Sequence, residues 1–447
     1  MSDIAAHQWF GHPRGLSTLF FTEMWERFSY YGMRAILVLF MVAPLSTGGL
    51  AYSTAKAASI YGLYTMLVYA ASIPGGFIAD RFLGHYRAVF AGGVTIMLGH
   101  FSMAIPRVET FYLGLGLIVI GTGLLKPNVS SMVGMLYHGD DSRRDAGFSL
   151  FYMGINIGAM LSPLVCGWLG QRVNWHVGFA AAGVGMLAGL IQYVAGRRRL
   201  PHDEPVPRKG STQAAAAPAS RKLTAEERRR VAGILVFFVF SIVFFGAFEQ
   251  AGSSLTLFAD RMTRTSVLGF HFPSSWFQAE QPLFVICLAP VFAWLWVRLG
   301  KRSPSAVVKF SLGLLLVGAG FLLIVPAAYA AQLHGHAASP AWLTGLYLLH
   351  TFGELCLSPV GLSLVTKLSP PRLVGLMMGV WFLGSSFGDF IAGAAAGLID
   401  VVPFYQLFLG VAIVTVAASI AALLLRAPLE RLTATPVEGD DEVRLAA

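Results

Sequence analysis

The stretch FTEMWERFSYYGMRAILVLF, residues 21–40, is apolar enough to enter a bilayer, yet it holds Glu23, Glu26, Arg27 and Arg34. An Asp, Lys or Arg at the centre of a lipid-embedded helix costs roughly 2.5–3.5 kcal/mol. Helical geometry gathers the four charges on one side. Relative to Glu23, at about 100° per residue, Glu26 lies at about −60°, Arg27 at about +40°, Tyr30 at about −20° and Arg34 at about +20°. All five share an arc of about 100°, one face of the helix. Phe21, Met24, Phe28 and Leu39 fall outside that arc. A helix with such a stripe needs other helices around it and a wet cavity in front of it. Glu23 and Arg27 stand at i, i+4 and can pair. Glu26 and Arg34 are left over, which favours function over simple structural pairing.

The composition agrees with a membrane bundle. Of 447 residues, 55% are hydrophobic and 12% charged, and mean hydropathy is +0.65. A soluble domain carries about 25% charged residues. The net charge of +9 could indicate nucleic acid, but the basic residues sit between apolar runs, so it reads as membrane topology and no nucleic-acid partner is expected. Cys166, Cys287 and Cys356 lie in apolar stretches without metal-like spacing, and read as buried thiols. No cleavage site follows the first apolar run, so no signal peptide is expected. There is no metal-ligand cluster, nucleophile elbow or phosphate loop. An enzyme, a metal and a cofactor are therefore not expected.

Apolar runs of bilayer length, about 20 residues, fall at 17–44, 53–79, 86–105, 109–136, 146–170, 173–196, 231–259, 276–298, 304–327, 340–367, 372–398 and 403–425. Twelve spans put both termini on one side. With that side cytoplasmic, the inner segments hold 23 Lys and Arg, the outer loops five and the helices four. The asymmetry supports the count and the orientation together. Residues 197–229 are basic, rich in Pro, Ala and Ser, and lack an apolar run, so they read as a cytoplasmic linker. The division predicted is a six-helix bundle at 1–196, the linker at 197–229, a second bundle at 230–426 and a cytoplasmic tail at 427–447. GGFIADRFLGHYR (75–87) and AWLWVRLGKR (293–302) end the second and eighth spans in similar basic turns. Six plus six helices around a basic linker, all α, resemble the major facilitator fold.

Other spans carry charges of their own. Lys126 lies in the fourth, Glu249 in the seventh, and Glu354 in the tenth with His350 and Ser358 one turn to either side. Asn156 and Tyr152 share a face of the fifth. Lys309 is near a helix end and can snorkel. Asp80 reads as an interhelical brace, and Glu280 and Asp389 receive no role. An interior with four carboxylates (Glu23, Glu26, Glu249, Glu354) and three cations (Arg27, Arg34, Lys126) suits a zwitterion. Tyr30, Tyr69, Phe245, Trp381 and Phe382 suit variable side chains. A carboxylate that loses its partner in low dielectric takes a proton.

EMWERFSYYG (23–32) matches the E-x-x-E-R-F-x-Y-Y-G signature of the proton-dependent oligopeptide transporter family. FYMGINIGAM (151–160) resembles its second signature, F-Y-x-x-I-N-x-G-S-L, with Ala159 and Met160 in place of Ser and Leu. GLLKPNVS and GELCLSPVGLSLVTKLSP look like family segments too. The resemblance covers nearly the whole chain. It implies a proton-coupled symporter of the bacterial inner membrane that imports di- and tripeptides by alternating access. Arg34 and Lys126 would then meet the peptide carboxylate, and Glu249 the amino end. Asn156, Gln281 and Glu354 would help hold the peptide, and Tyr30, Tyr69, Trp381, Phe382 and Ser385 would line pockets. Glu23, Glu26, Arg27, Lys126 and Glu249 would couple protons, with Lys126 pairing with Glu23 and Glu26 in the empty state. The chain departs from the family pattern in three ways. The linker is too short for the two extra helices of many bacterial relatives, a pocket Trp is replaced by Phe245, and Gln281 stands where an Asn precedes the Pro. The competing reading is a nitrate or drug-like solute on the same fold.

Overall fold

The computed structural model describes residues 8–137, 141, 143–201, 223–370 and 373–433. Most of the linker and the last fourteen residues of the tail lie outside the described residues. Twelve long helices are described: α1 Arg14–Val42, α2 Thr54–Leu83, α3 His85–Met103, α4 Val108–Met135, α5 Arg144–Val173, α6 Trp175–Ala195, α7 Ala225–Met262, α8 Ser274–Leu299, α9 Ala306–His334, α10 Pro340–Leu368, α11 Val374–Ala396 and α12 Phe404–Leu424. Ten are long and apolar enough to cross a bilayer on length and composition alone. The other two are α1, with Arg14 and the four charges of its polar face, and α3, with His85, Arg87 and His100. The chain is a multi-pass membrane protein.

Boundaries depart from expectation where caps or prolines intervene. At α7, Thr224 and Glu227 form a capping box, which draws polar linker residues into the helix six positions before the apolar run begins. α9 runs on to His334, because Pro326 sits inside it without ending it. A short helix, α13, follows α12 at Arg426–Thr433. The two basic turns expected to match do share a backbone feature. Gly84 after α2 and Gly300 after α8 both take positive φ, 74° and 48°, which glycine adopts without strain. At the first turn, His85 lies 3.9 Å from Asp80 and bonds Asn128 of α4 at 2.8 Å, so it is His85 that reaches the neighbouring helix.

Lipid supplies no hydrophobic drive for helix association, so close backbone approach must hold the bundle. The 49 glycines allow it. A Cβ on Gly92 of α3 would stand 2.6 Å from the Gly121 carbonyl of α4. α1 packs on α5 and α6, and α3 on α4 and α6; α9 packs on α10 and α12, and α7 on α11. The first six helices meet the last six mainly through α2 with α11 and α5 with α8.

α1 starts, and α6, α7 and α12 begin or end, on one face, here termed the linker face. All the side-chain hydrogen bonds between the two sets of helices, among the described residues, lie in the other half of the molecule. Ala55 N–H donates to Asp400 (3.2 Å), Arg261 to Thr54 (3.1 Å), Ser386 to the Met66 carbonyl (2.8 Å), Gln171 to Ser274 (2.8 Å) and Trp276 to the Leu164 carbonyl (3.1 Å). The far face is sealed, and the space between the sets opens toward the linker.

Candidate functional site

A cavity lies between the two sets. α1 contributes Tyr31 and Arg34, α2 Tyr69, and α5 Tyr152 and Asn156. From the other set come Phe245, Phe248 and Glu249 of α7, Gln278 and Gln281 of α8, and Tyr347, His350 and Glu354 of α10. Seven expected residues line it: Arg34, Tyr69, Asn156, Phe245, Glu249, Gln281 and Glu354.

Arg34 and Glu249 form an ion pair that bridges α1 and α7, and hence the two sets. Arg34 also donates through Nε to the Tyr61 hydroxyl at 2.5 Å and lies over the rings of Tyr31 and Tyr61, 5.7 Å from each centroid. Both charges were expected to have no partner close in sequence; the fold makes them partners of each other. Across the cavity, Gln281 Nε2 donates to Glu354 at 2.5 Å. Asn156 donates to the Tyr152 carbonyl one turn back at 3.0 Å.

The second charge cluster lies behind the cavity wall. Arg27 Nε pairs with Glu23 at 3.1 Å and also with Glu26. One guanidinium thus serves two carboxylates, and Glu23 Oε2, Glu26 Oε1 and Arg27 Nη2 keep no hydrogen-bond partner. Lys126 makes no ion pair within 4 Å among the described residues. Its Nζ lies 3.7 Å from the centroid of the Tyr69 ring, a cation–π contact. The empty-state pairing of Lys126 with Glu23 and Glu26 is therefore not formed here, because Arg27, on the same helix as the two acids, takes both. Lys126 stays within electrostatic reach of them.

Four expected pocket residues sit outside this cavity. Tyr30 is buried with its hydroxyl unpartnered. Trp381 is buried over Gly361 and 6.0 Å from Phe310. Phe382 is 46% exposed, and Ser385 is half-buried. Conversely, Tyr31, Gln278, Tyr347 and the Arg34 partner Tyr61 were not among the expected residues. Tyr31 had a signal: at about +80° it stands just beyond the charged arc of α1. Tyr347 lies two turns before Glu354 on the same face.

Outside the membrane, Arg143 grips Asp141 through Nε–Oδ1 (3.0 Å) and Nη2–Oδ2 (2.8 Å). These hydrogen bonds hold the Asp141 carboxyl at about 2. Arg143 Nη1 also reaches the Gly11 carbonyl at 3.0 Å, tying the chain before α1 to the loop before α5.

The sequence model described as POT family, PTR2, matches residues 86–216 and 206–414. The chain is 41% identical over 473 aligned positions to the uncharacterized transporter YclF of Bacillus subtilis (strain 168), covering 94% of this chain and 95% of that protein. It is 38% identical over 492 positions to the peptide transporter YePEPT of Yersinia enterocolitica subsp. palearctica serotype O:3 (strain YE-P4), covering 95% and 96%. Both alignments are longer than the chain's 447 residues, so these relatives carry segments it lacks. Among solved structures, a mutant of the peptide transporter POT in complex with alafosfalin superposes with a TM-score of 0.87 at 41% identity, covering 95% of this chain and 96% of that one. By sequence over nearly its whole length and by its twelve-helix major facilitator fold, the chain belongs to the POT family.

Proposed function

We propose that this chain imports di- and tripeptides together with protons across the bacterial inner membrane. The observation that carries the reading is the cavity itself, which presents Arg34 together with the carboxylates of Glu249 and Glu354 between aromatic walls. A free peptide has one charge of each sign and variable side chains, which matches that lining. The peptide carboxylate would take Arg34, assisted by Lys126, and the ammonium would take Glu249. Two new pairs then replace the one that is broken. Asn156, Gln281 and Glu354 would hold the peptide backbone, and Tyr69 would pack on it. Tyr30, Trp381, Phe382 and Ser385 would complete the pockets once the linker-face ends of the helices close in. Relatives named as a peptide transporter and a di-/tripeptide transporter support the reading.

The two six-helix bundles, 1–196 and 230–426, would rock about the cavity. The linker 197–229, the tail 427–447 and both termini would face the cytoplasm. Glu23, Glu26, Arg27, Lys126 and Glu249 would couple protons, Lys126 shifting between Tyr69 and the acids as the substrate carboxylate arrives. The solute would cross unchanged, without catalysis.

The test is uptake of labelled dialanine into proteoliposomes under an imposed proton gradient. Accumulation should collapse with an uncoupler and be competed by dipeptides. Competition by nitrate or a drug-like cation, with no competition by dipeptides, would replace this reading with a carrier for another small solute.

A further inference from the structure

Among the described residues, α3 and α6 contribute no side chain to the cavity, yet their ends on the linker face carry a built feature of their own. Directly after α6, Arg197–Arg199 form one tight turn with all three side chains exposed. The turn is held against the bundle. A Cβ on Gly15 of α1 would stand 2.6 Å from the Arg199 carbonyl, a Cβ on Gly196 would stand 2.4 Å from Thr18 of α1, and Leu200 behind the turn is buried. Arg197 lies over the ring of Tyr86 of α3, 5.2 Å from its centroid. Tyr86 in turn stacks on Tyr193 of α6, with ring centroids 5.0 Å apart. A guanidinium laid on an aromatic face keeps its N–H edge for an oxyanion. No carboxylate claims that edge: Arg197, Arg198 and Arg199 make no ion pair within 4 Å among the described residues. Asp141, Glu226 and Glu430 are engaged by Arg143, Arg230 and Arg426 instead.

Below these cations the surface turns apolar. Ile191 and Val194 stand one turn apart on α6, 63% and 48% exposed, and Arg197 and Arg198 follow Val194 by three and four residues. Phe90, one turn on from Tyr86 along α3, is 40% exposed. Between them the two helices close up, since a Cβ on Gly93 would stand 2.7 Å from Leu190 Cδ2. The outward Phe90 and Ile191 thus flank a narrow α3–α6 seam with fixed cations at its linker-face end. These apolar side chains lie on helices of a membrane bundle, where acyl chains cover them. Basic groups above an apolar interhelical seam fit an anionic phospholipid. A polynucleotide or an acidic protein would use the cations and leave the seam idle.

We propose that the α3–α6 seam binds an anionic phospholipid of the leaflet on the linker face. Its phosphodiester takes Arg197 and Arg198, with Tyr86 as the shelf that orients Arg197, and an acyl chain lies along Phe90, Ile191 and Val194. The site is separate from the cavity and does not depend on which solute crosses.

The test is native mass spectrometry of the full-length protein in detergent, titrated with phosphatidylglycerol or phosphatidylcholine of the same acyl chains. Phosphatidylglycerol should bind the wild type about fivefold or more tighter. Arg197→Gln with Arg198→Gln should weaken its binding by about tenfold and abolish the preference. Arg228→Gln with Arg229→Gln removes the same charge from the start of α7 on the same face, and should change binding by less than about twofold. Val194→Trp keeps the arginines but fills the seam, so it should weaken both lipids, and it decides the matter if the paired Gln variant does not fold. Equal binding of the two lipids by wild type would overturn the proposal. So would a paired Arg197 and Arg198 variant that binds like wild type, an equal loss in the Arg228 and Arg229 control, or unchanged binding by Val194→Trp. Displacement of phosphatidylglycerol by excess inorganic phosphate would also overturn it, by making this a site for a free anion.

Discussion

At the scale of single residues, the two arginines of α1 divide the work. Arg27 holds Glu23 and Glu26 within its own helix, whereas Arg34 reaches across to Glu249. Arg34 is set by Tyr61, so it is preorganised for a carboxylate. Arg34→Gln should weaken dialanine affinity by about 10- to 100-fold, measured by calorimetry. A dipeptide blocked at both ends should lose affinity for wild type and far less for the variant; equal losses in both would count against the assignment. In the other cluster, Glu23→Gln or Glu26→Gln should lose proton-driven accumulation yet keep counterflow, and Lys126→Ala should lose accumulation. Were all three to concentrate peptide normally, coupling through this cluster would have to be abandoned. The Asp141–Arg143 clasp gives a control. A depressed carboxyl contributes stability that is present above its ordinary value of 3.8 and lost as pH falls through about 2. The clasp is exposed and screened, and it does not titrate near neutrality. Arg143→Ala should therefore leave the pH profile of uptake unchanged between about pH 5 and 8, and a shifted profile would show that the loop takes part in coupling.

At the scale of elements, glycines decide which helix pairs are fixed and which can part. Gly92 and Gly121 join α3 to α4 within the first six helices, so a side chain at either works against folding itself. Gly62 and Gly393 join α2 to α11 across the two sets. Added volume there should shift the conformational balance instead, by about 1–3 kcal/mol of overpacking. Gly62→Val should bias the protein toward an open far face. A cysteine placed at Ser386, whose hydroxyl now bonds the Met66 carbonyl across the seam, should become reactive to a polar thiol reagent added from that face. Continued protection of that cysteine, with transport near normal, would show that the seam is not what seals the far side.

At the scale of the whole molecule, charge sets orientation and the interhelical contacts set state. The inner-loop excess of 23 basic residues against five predicts a cytoplasmic linker. A cysteine at Ser211 in an otherwise cysteine-free protein should stay unlabelled by an impermeant reagent on intact cells and react after lysis. Labelling of intact cells would reverse the topology. The sealed far face and the opening toward the linker make this an inward-open form if that orientation holds. The passage of a solute then requires the α2–α11 and α5–α8 seams to open as those near the linker close.

What the sequence by itself determined is what one helix or one loop can decide. Twelve spans follow from hydropathy, because a bilayer demands length. The charged face of α1 follows from helical periodicity, and the POT resemblance from ten contiguous residues, Glu23–Gly32. Caps and kinks escaped that reading at α7 and α9, where Thr224 recruits polar residues and Pro326 is bridged. What only the tertiary structure decided is which charges meet. Arg34 and Glu249 are 215 positions apart, and nothing local in either segment makes them partners. Arg27, nearer than Lys126, takes both acids of α1. Asp389 was visible in the sequence as one more charge in a helix; that it is buried with no donor on either oxygen, among the described residues, is a result of the packing. Periodicity is a property of a single helix, whereas the pairing of buried charges depends on how several helices cross.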